Sequence, residues 1–302
     1  MLDPRLVEEI AAALGTEPGL VEKEWHVVRA IGVIADLHHG DAQPVFSGGT
    51  SLSVGWGLIK RFSEDIDFKV GMPNADSAAQ ARTRRRNYRN KILNALQSAE
   101  LQLLGGPKSR NASQFFRADF AYPNEFSPVA GLRPHIRVEM TFQTPRLASI
   151  KRPLQSLLSR GLGQEPEIAA FACVDPVETA ADKLSALTWR VCSRRRGAED
   201  DDPSIIRHLH DLAALEPIAA QADAFAELVK GAMADDLHRA GREAPQAPED
   251  RIVRMFELLT GDALWAKEYE QFVHDKSFAR ADEVISFAAA LAATRRLADR
   301  AG

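Results

Sequence analysis

Two cysteines, Cys173 and Cys192, are all that the 302 residues contain. Two thiols outside any CxxC pair cannot form a disulfide framework, so both read as buried and reduced. No run approaches the roughly 18 to 20 apolar residues a membrane helix needs, so no membrane partner is expected. The start, MLDPRLVEEI, carries charges and no apolar stretch; a signal peptide is not expected, and the chain reads as cytoplasmic. Repeats of fixed period are absent. So is any excess of positive charge: 38 Lys and Arg stand against 42 Asp and Glu, a net charge of -4. That balance argues against wholesale nucleic-acid binding, yet net charge averages over position and leaves local patches open. What is there, 45% hydrophobic and 26% charged, is the composition of one large globular domain or two ordinary ones.

From Glu22 to Leu37, Trp25, Val28, Ile31, Ile34 and Ala35 recur at helical spacing and predict one apolar stripe. After a turn at His38–Pro44, Val45-Phe46 leads into Ser47-Gly48-Gly49-Thr50. Ile66, Phe68 and Val70 then alternate with Asp65 and Asp67, a period of two that predicts a strand ended by Gly71, Pro73 and Asn74. A helix is expected over 76–104, with strands over Phe115–Tyr122 and His135–Phe142. Beyond about residue 150 the period-two runs disappear, apart from a short one around Phe171–Val174, and helical patterns take over. Asp175-Pro176 reads as a helix start, and a polar break is expected near Glu243–Pro248. The expected division is 1–150, mixed α and β, and 151–302, mainly helical.

The chemistry concentrates in Ser47-Gly48-Gly49-Thr50-Ser51-Leu52 and Arg61-Phe62-Ser63-Glu64-Asp65-Ile66-Asp67-Phe68. On a strand, Asp65 and Asp67 project from one face with β-carbons about 7 Å apart, so both can approach one Mg²⁺. Without a cation the two charges would repel. Glu139, polar between Val138 and Met140, has the same local setting and would be a third carboxylate of a two-metal site. A lone Asp-x-Asp more often lines a solvated sheet face; the glycine turn before it tips the reading toward a site. Gly48 and Gly49 let a phosphate approach the backbone closely. A helix starting at Thr50 would turn free N–H groups and its dipole toward a triphosphate, with Ser47, Thr50 and Ser51 as hydroxyl donors.

GGTSL, a short helix and RFSEDIDF resemble the AbiEii/MenT nucleotidyltransferases, toxin components of type IV toxin–antitoxin systems within the DNA polymerase β-like superfamily. Lys183-Leu184-Ser185-Ala186-Leu187-Thr188-Trp189-Arg190 looks like that family's third motif, and Arg207 to Leu215 like its fourth, RDhhDhhhL. The resemblance runs in order from about residue 45 to 215. It departs at Val54, where many relatives carry a lysine that Lys60 or Arg61 would have to replace, and at His208, which stands for the motif's first aspartate.

The resemblance implies an α+β fold: a polymerase β-like domain with a mixed sheet, then a helical domain. It implies an enzyme that moves an NMP from an NTP to an RNA acceptor, tRNA, with Mg²⁺ as cofactor, blocking translation and serving in phage defence. A cognate antitoxin, a winged-helix protein, is the implied partner. By the same resemblance Ser47, Gly48, Gly49, Thr50 and Ser51 would hold the nucleotide phosphates. Asp65 and Asp67 would be catalytic metal ligands, with Glu139 a third ligand or base. Lys183 would reach the triphosphate, and Asp211, with Arg190, would organise the far side of the cleft. Read without the family, Lys183 could face water and Asp211 could pair with Arg207 at i, i+4.

Arg82, Arg84, Arg85, Arg86, Arg89 and Lys91 crowd one helical stretch, either as a solvated basic face or as a contact for phosphate backbone; Arg194, Arg195 and Arg196 form a second candidate patch. The alternative function is a nucleotide-binding regulatory module with weakened catalysis, motivated by Val54 and His208. A metal-dependent nuclease would use the same acids but gives no reason for the glycine turn.

Overall fold

The computed structural model describes residues 2–302 except 112, 130, 200, 238–244 and 246. The chain divides into two compact units, Met1–Val174 and Asp175–Gly302. In the first, helices α1 (Pro4–Leu14) and α2 (Pro18–Ala35) precede strand β1 (Gln43–Ser47). A helical turn, α3 (Gly48–Thr50), runs on as a π-helical turn over Ser51–Gly55 and leads to β2 (Asp65–Gly71). Then come α4 (Ala78–Ser98), β3 (Gln102–Arg110), β4 (Phe115–Ala121), β5 (Ile136–Thr141), β6 (Ile150–Leu154), α5 (Leu157–Gly161) and β7 (Ile168–Cys173).

The strands form one mixed sheet in the order β3-β4-β5-β2-β1-β7-β6. At its centre, β2 runs antiparallel to β1 and parallel to β5. Period-two patterning sorts the two faces. Ile66, Phe68, Val138, Met140, Phe116 and Phe120 enter a core shared with Ile31 and Ile34 of α2 and Ile92 and Leu96 of α4. Asp65, Asp67, Arg137, Glu139, Arg117 and Asp119 alternate with them and stay half-buried on the other face. The architecture is α+β, the class expected.

Two strands escaped the sequence reading, and both are sheet edges. β3 contains Gly105-Gly106-Pro107, and its pairing with β4 shifts register between Leu104 and Lys108. β6 carries Pro153 and three further polar or exposed positions. Edges tolerate proline and need no apolar alternation, so the periodic signal is missing there. The expected helix over 76–104 stops at Ser98, because Glu100 takes a positive φ of 67° and turns the chain into β3. Since β6 and β7 complete the sheet, the division between units falls at Val174/Asp175 and not near residue 150.

Helix α2 departs from a simple amphipathic pattern. Glu22, Lys23, Glu24 and His26 are all buried beside its apolar residues. The charged members are tolerated because each reaches a partner. Glu22 accepts the N–H groups of Glu125 (2.7 Å) and Phe126 (3.2 Å). Lys23 donates to Glu64 (2.5 Å) and to the Arg133 carbonyl (2.6 Å). Glu24 accepts the Leu157 N–H at the start of α5 (2.9 Å). The helix thereby pins three loops to the sheet.

The second unit holds α6 (Pro176–Ser193), a 3-10 turn at Pro203–Ile206, α7 (Arg207–Ala219), α8 (Phe225–Asp235), α9 (Pro248–Gly261), α10 (Leu264–Lys276) and α11 (Phe287–Ala301). Asp175 caps α6 by accepting the Val177 N–H at 2.8 Å, the start read from the sequence. Helix α6 packs against α7, α8 and α9 through buried leucines including Leu184, Leu187, Leu209 and Leu212. The polar break expected near Glu243–Pro248 falls mostly outside the described residues. Among the described residues no helix is long and apolar enough to cross a membrane. Cys173 is buried and its thiol is pushed up to about 11 by that burial, whereas Cys192 is only partly buried.

Burial pushes the Glu24 carboxyl up to about 8. An acid that binds its proton more tightly when folded stabilises most at low pH, and that contribution drains away as pH rises from about 4.5 toward 8. Denaturant midpoints measured from pH 5 to pH 8 should therefore fall less for Glu24→Gln than for the wild type.

Candidate active site

The turn after β1 depends on its glycines. Gly48 has φ +75°, the left-handed region that side chains rarely adopt, and a Cβ built there would lie 2.8 Å from the Asp67 Cγ. Only glycine lets the chain pass this close to the acid. A Cβ at Gly49 would lie 2.7 Å from Ser63 Oγ and 2.8 Å from Arg61 Nη2, so the Arg61 guanidinium rests against the second glycine. Arg61 is buried, and its Nη1 donates to the Phe62 carbonyl at 2.9 Å. The helical segment starts at Gly48, two residues before the expected Thr50.

Two hydroxyls of this turn, those of Thr50 and Ser51, face inward. Thr50 is fully buried and donates through Oγ1 to the Asp65 carbonyl, lashing the turn to the first residue of β2. Ser51 is buried beside the Cys173 thiol, and Ser47 is also buried. Ser47, assigned to phosphate from the sequence together with Thr50 and Ser51, stands opposite Asp67 on the polar face. The groups of the turn best suited to a phosphate are the backbone N–H donors at its glycines.

β2 carries the acids as its period requires. Ser47 stands opposite Asp67 across β1, and Asp67 stands opposite Glu139 across β5. One row of the polar face is thus Asp65, Arg137, Asp119, and the next is Asp67, Glu139, Arg117. Charges alternate along the first row, where Arg137 grips Asp119 at 2.7 and 3.2 Å. That grip holds the Asp119 carboxyl below its usual range against the opposing effect of burial. Arg133 donates to Asp65 Oδ1 at 2.6 Å, and the Arg133 backbone N–H donates to Glu64 at 2.9 Å. Lys23, Glu64 and Arg133 therefore form a knot beside the acids; burial lowers the Lys23 ammonium despite the attraction of Glu64. Neither Lys23 nor Arg133 was singled out from sequence. Both lie far from the motif along the chain and carry no pattern of their own.

The donor set fits Mg²⁺. Asp65 and Asp67 offer hard carboxylate oxygens on one face, next to a glycine cradle that a Cβ would fill. No group of three or more His, Cys, Asp or Glu that could hold a metal ion occurs among the described residues, so Asp65, Asp67 and Glu139 are not a ready-made cage. Mg²⁺ seldom uses such cages; one or two carboxylates, substrate phosphates and water are its usual shell.

With this geometry in place the comparisons with known proteins can be read. The profile of the family described as "Nucleotidyl transferase AbiEii toxin, Type IV TA system" matches residues 34–293. The chain belongs to the AbiEii nucleotidyltransferase toxin family. Among curated proteins nothing matches it in sequence. Among solved structures it is similar to MenT4, a nucleotidyltransferase toxin from Mycobacterium tuberculosis H37Rv, at 17% identity and a TM-score of 0.55 over 100% of both chains. That likeness concerns the fold. As an AbiEii-family protein the chain is a nucleotidyltransferase toxin of a type IV system, with an NTP substrate and an antitoxin partner.

Val54, where the AbiEii motif often has lysine, is buried in the sheet core. Arg61 against Gly49 is the cation the structure brings to the turn instead, while Lys60 is exposed. In the helical unit, Lys183 does not face water: its Nζ lies 2.7 Å from Asp211 Oδ2, with side-chain exposures of 8% and 0%. Asp211 pairs with this lysine, whereas Arg207 turns to Asp202 (3.7 Å) and Ser204. Arg190 lies 3.4 Å from Asp202 and over the Trp189 ring. His208 is buried among Lys183, Arg190, Arg207 and Asp211, and burial holds its ring neutral, well below its ordinary range. A neutral ring thus replaces the motif's first carboxylate.

Two of the three cations of the Arg194–Arg196 stretch are held by acids of the same unit, while Arg195 is exposed. Arg194 is held by Asp201 (2.7 Å) and Glu268 (2.6 Å), Arg196 by Glu268 (3.1 Å) and Asp262, and both stack on Trp265. Those cations bind α10 to the loop after α6. On α4, by contrast, Arg82 and Arg86 are exposed, and Arg84 and Arg89 donate to the neutral Asn74 carbonyl (3.0 Å) and Ser109 hydroxyl (2.8 Å).

Removing one partner of a buried ion pair strands the other charge. Asp211→Ala should lower stability by about 3 to 5 kcal/mol in chemical denaturation, and Lys183→Met combined with Asp211→Leu should recover most of that loss.

Proposed function

We propose that this AbiEii-family toxin uses Mg²⁺ to transfer an NMP from an NTP to the terminal hydroxyl of an RNA acceptor, tRNA, and thereby blocks translation. The observation that carries the reading is the Gly48–Asp67 contact, which sets phosphate-binding backbone and a carboxylate pair side by side. In the proposed reaction the acceptor oxygen forms a bond to the α-phosphorus, the bond to the bridging oxygen of pyrophosphate breaks, and the hydroxyl proton passes to a carboxylate. Asp65 and Asp67 are the residues that would hold the metal. When bound, Mg²⁺ supplies charge neutralisation across the phosphates. Glu139, beside Asp67, is the candidate proton acceptor or further ligand.

The backbone of Ser47 to Ser51 would cradle the phosphates, with Arg61 as the adjacent cation. Lys183, Arg190 and Asp211 are proposed as the helical unit's contribution to the nucleotide. For Lys183 this requires that a phosphate compete with Asp211 for its ammonium. The charged surface of α4 favours a polynucleotide acceptor over a small molecule. The antitoxin is proposed to be a winged-helix protein and the metal to be Mg²⁺.

Incubation with each labelled NTP, Mg²⁺ and total tRNA should label RNA with at least one nucleotide. Asp67→Asn should reduce that labelling by roughly 1000-fold or more at unchanged melting temperature, since a metal-binding carboxylate acts directly on the transferring group. Absence of labelled RNA with every NTP, where nucleotide still binds, would defeat the transfer reading, and shortened RNA would point to hydrolysis.

A further inference from the structure

A cationic groove opens at the end of the sheet remote from the acids. One cavity of about 330 Å³ is lined by His39, Met72, Arg84, Tyr88 and Lys91, with Asp41 at its wall. A second of about 200 Å³, lined by Met72, Arg84, Arg85 and Thr144, shares Arg84 with the first. Both lie past the end of β2 at Gly71, and the second also lies past the end of β5 at Thr141. Helix α4 supplies their charge. Between Ala78 and Ser98 it carries Arg82, Arg84, Arg85, Arg86, Arg89 and Lys91 and no Asp or Glu.

This arrangement is fixed from beneath. Tyr88 is buried and its hydroxyl lies 2.9 Å from His39 Nδ1, while Lys91 donates to the His38 carbonyl. Arg84 is held by the Asn74 carbonyl at 3.0 Å. Burial and the neighbouring Lys91 and His38 charges keep His39 below its ordinary range, so its ring adds no charge near neutral pH. The cations that remain have concave apolar walls between them, from Met72 and Pro73. Arg84, Arg85 and Lys91 are the cations of this helix that line the cavities, and a polyanion seated there would ease their mutual repulsion.

We propose that this groove anchors the body of the RNA acceptor, at a site separate from the one that holds its reacting end. The proposal rests on the reading of the enzyme as one that modifies RNA. Its geometry adds a length requirement. From Asp65 to Gly71 is six strand steps, so the groove begins at least about 20 Å from the acids. At the stacked rise of about 3.4 Å per nucleotide, a helical acceptor must exceed about six nucleotides to occupy both. Mononucleotides and very short oligonucleotides would reach the acids without the anchor.

The test is RNA binding by the full-length protein, measured by fluorescence anisotropy with labelled tRNA and with single-stranded oligonucleotides of 4 and 20 nucleotides across a salt series. Substitution of Arg84, Arg85 and Lys91 by Gln together should weaken binding of the long RNAs roughly 10-fold or more and lower their salt slope by about 2, with a smaller effect on the 4-mer, which has fewer phosphates to offer the groove. Should that variant fold poorly, the wild type answers the same question, because bound RNA should shield Lys91 from an amine-reactive reagent. Unchanged affinity in the folded variant, or an unshielded Lys91, overturns the proposal. So does equal displacement of the RNA by poly-glutamate of matched charge, which would mark the groove as a site for an acidic protein. A wild type that binds RNA through the groove yet transfers no nucleotide would fault the reaction and leave the anchor standing.

Discussion

The contact between the Gly48 backbone and the Asp67 carboxylate sets how closely the end of β1 can lie against the start of β2. Everything in the candidate site follows from that approach. A residue with a Cβ at 48 would have to move the acid, and the acid cannot move far because Ile66 and Phe68 on either side of it are locked in the core. The turn is fixed from its other end as well, by the Thr50 hydroxyl on the Asp65 carbonyl. A short π-helical stretch then carries the chain away, a geometry that recurs at functional sites. Backbone donors and carboxylates are thus held together by packing.

The acids remain half-buried beside cations on one sheet face, and several of the surrounding charges are paired. Arg137 with Asp119, Arg133 with Asp65, and Lys23 with Glu64 each place a positive group within reach. This explains how a strand with acids two apart is tolerated in the folded chain. The helical unit repeats the device with Lys183 and Asp211, more deeply buried, and with a neutral His208 beside them. With His208 in place of the motif's first aspartate, the neighbourhood of Lys183, Arg190 and Arg207 has one carboxylate fewer than the family motif provides.

What could be read from sequence was whatever depended on short-range period. Asp65, Asp67 and Glu139 lie on one face because alternation is local, and the glycine turn is legible because only glycine permits it. The core positions Ile66, Phe68, Val138 and Met140 followed from the same alternation. Illegible were the partners that tertiary folding brings from a distance: Arg133 to Asp65, Lys23 to Glu64, Lys183 to Asp211. The same cause hid the pairing of Arg194 and Arg196 with Glu268, which lies more than seventy residues on. The edge strands β3 and β6 were invisible because edges carry proline and glycine where central strands carry alternation. The inward turn of the Thr50 and Ser51 hydroxyls depends on β2 and Cys173 lying beneath them, which no motif encodes.

The central claim is that the Gly48 approach to Asp67 creates the nucleotide site. Calorimetric titration of a non-transferable NTP analogue, with and without Mg²⁺, tests it on the wild type and Gly48→Ala. The account predicts that Gly48→Ala remains folded, with its helical unit's melting unchanged, but binds the analogue at least about 100-fold more weakly in Mg²⁺, a loss of about 2.7 kcal/mol. Wild-type affinity and Mg²⁺ dependence in folded Gly48→Ala would contradict it.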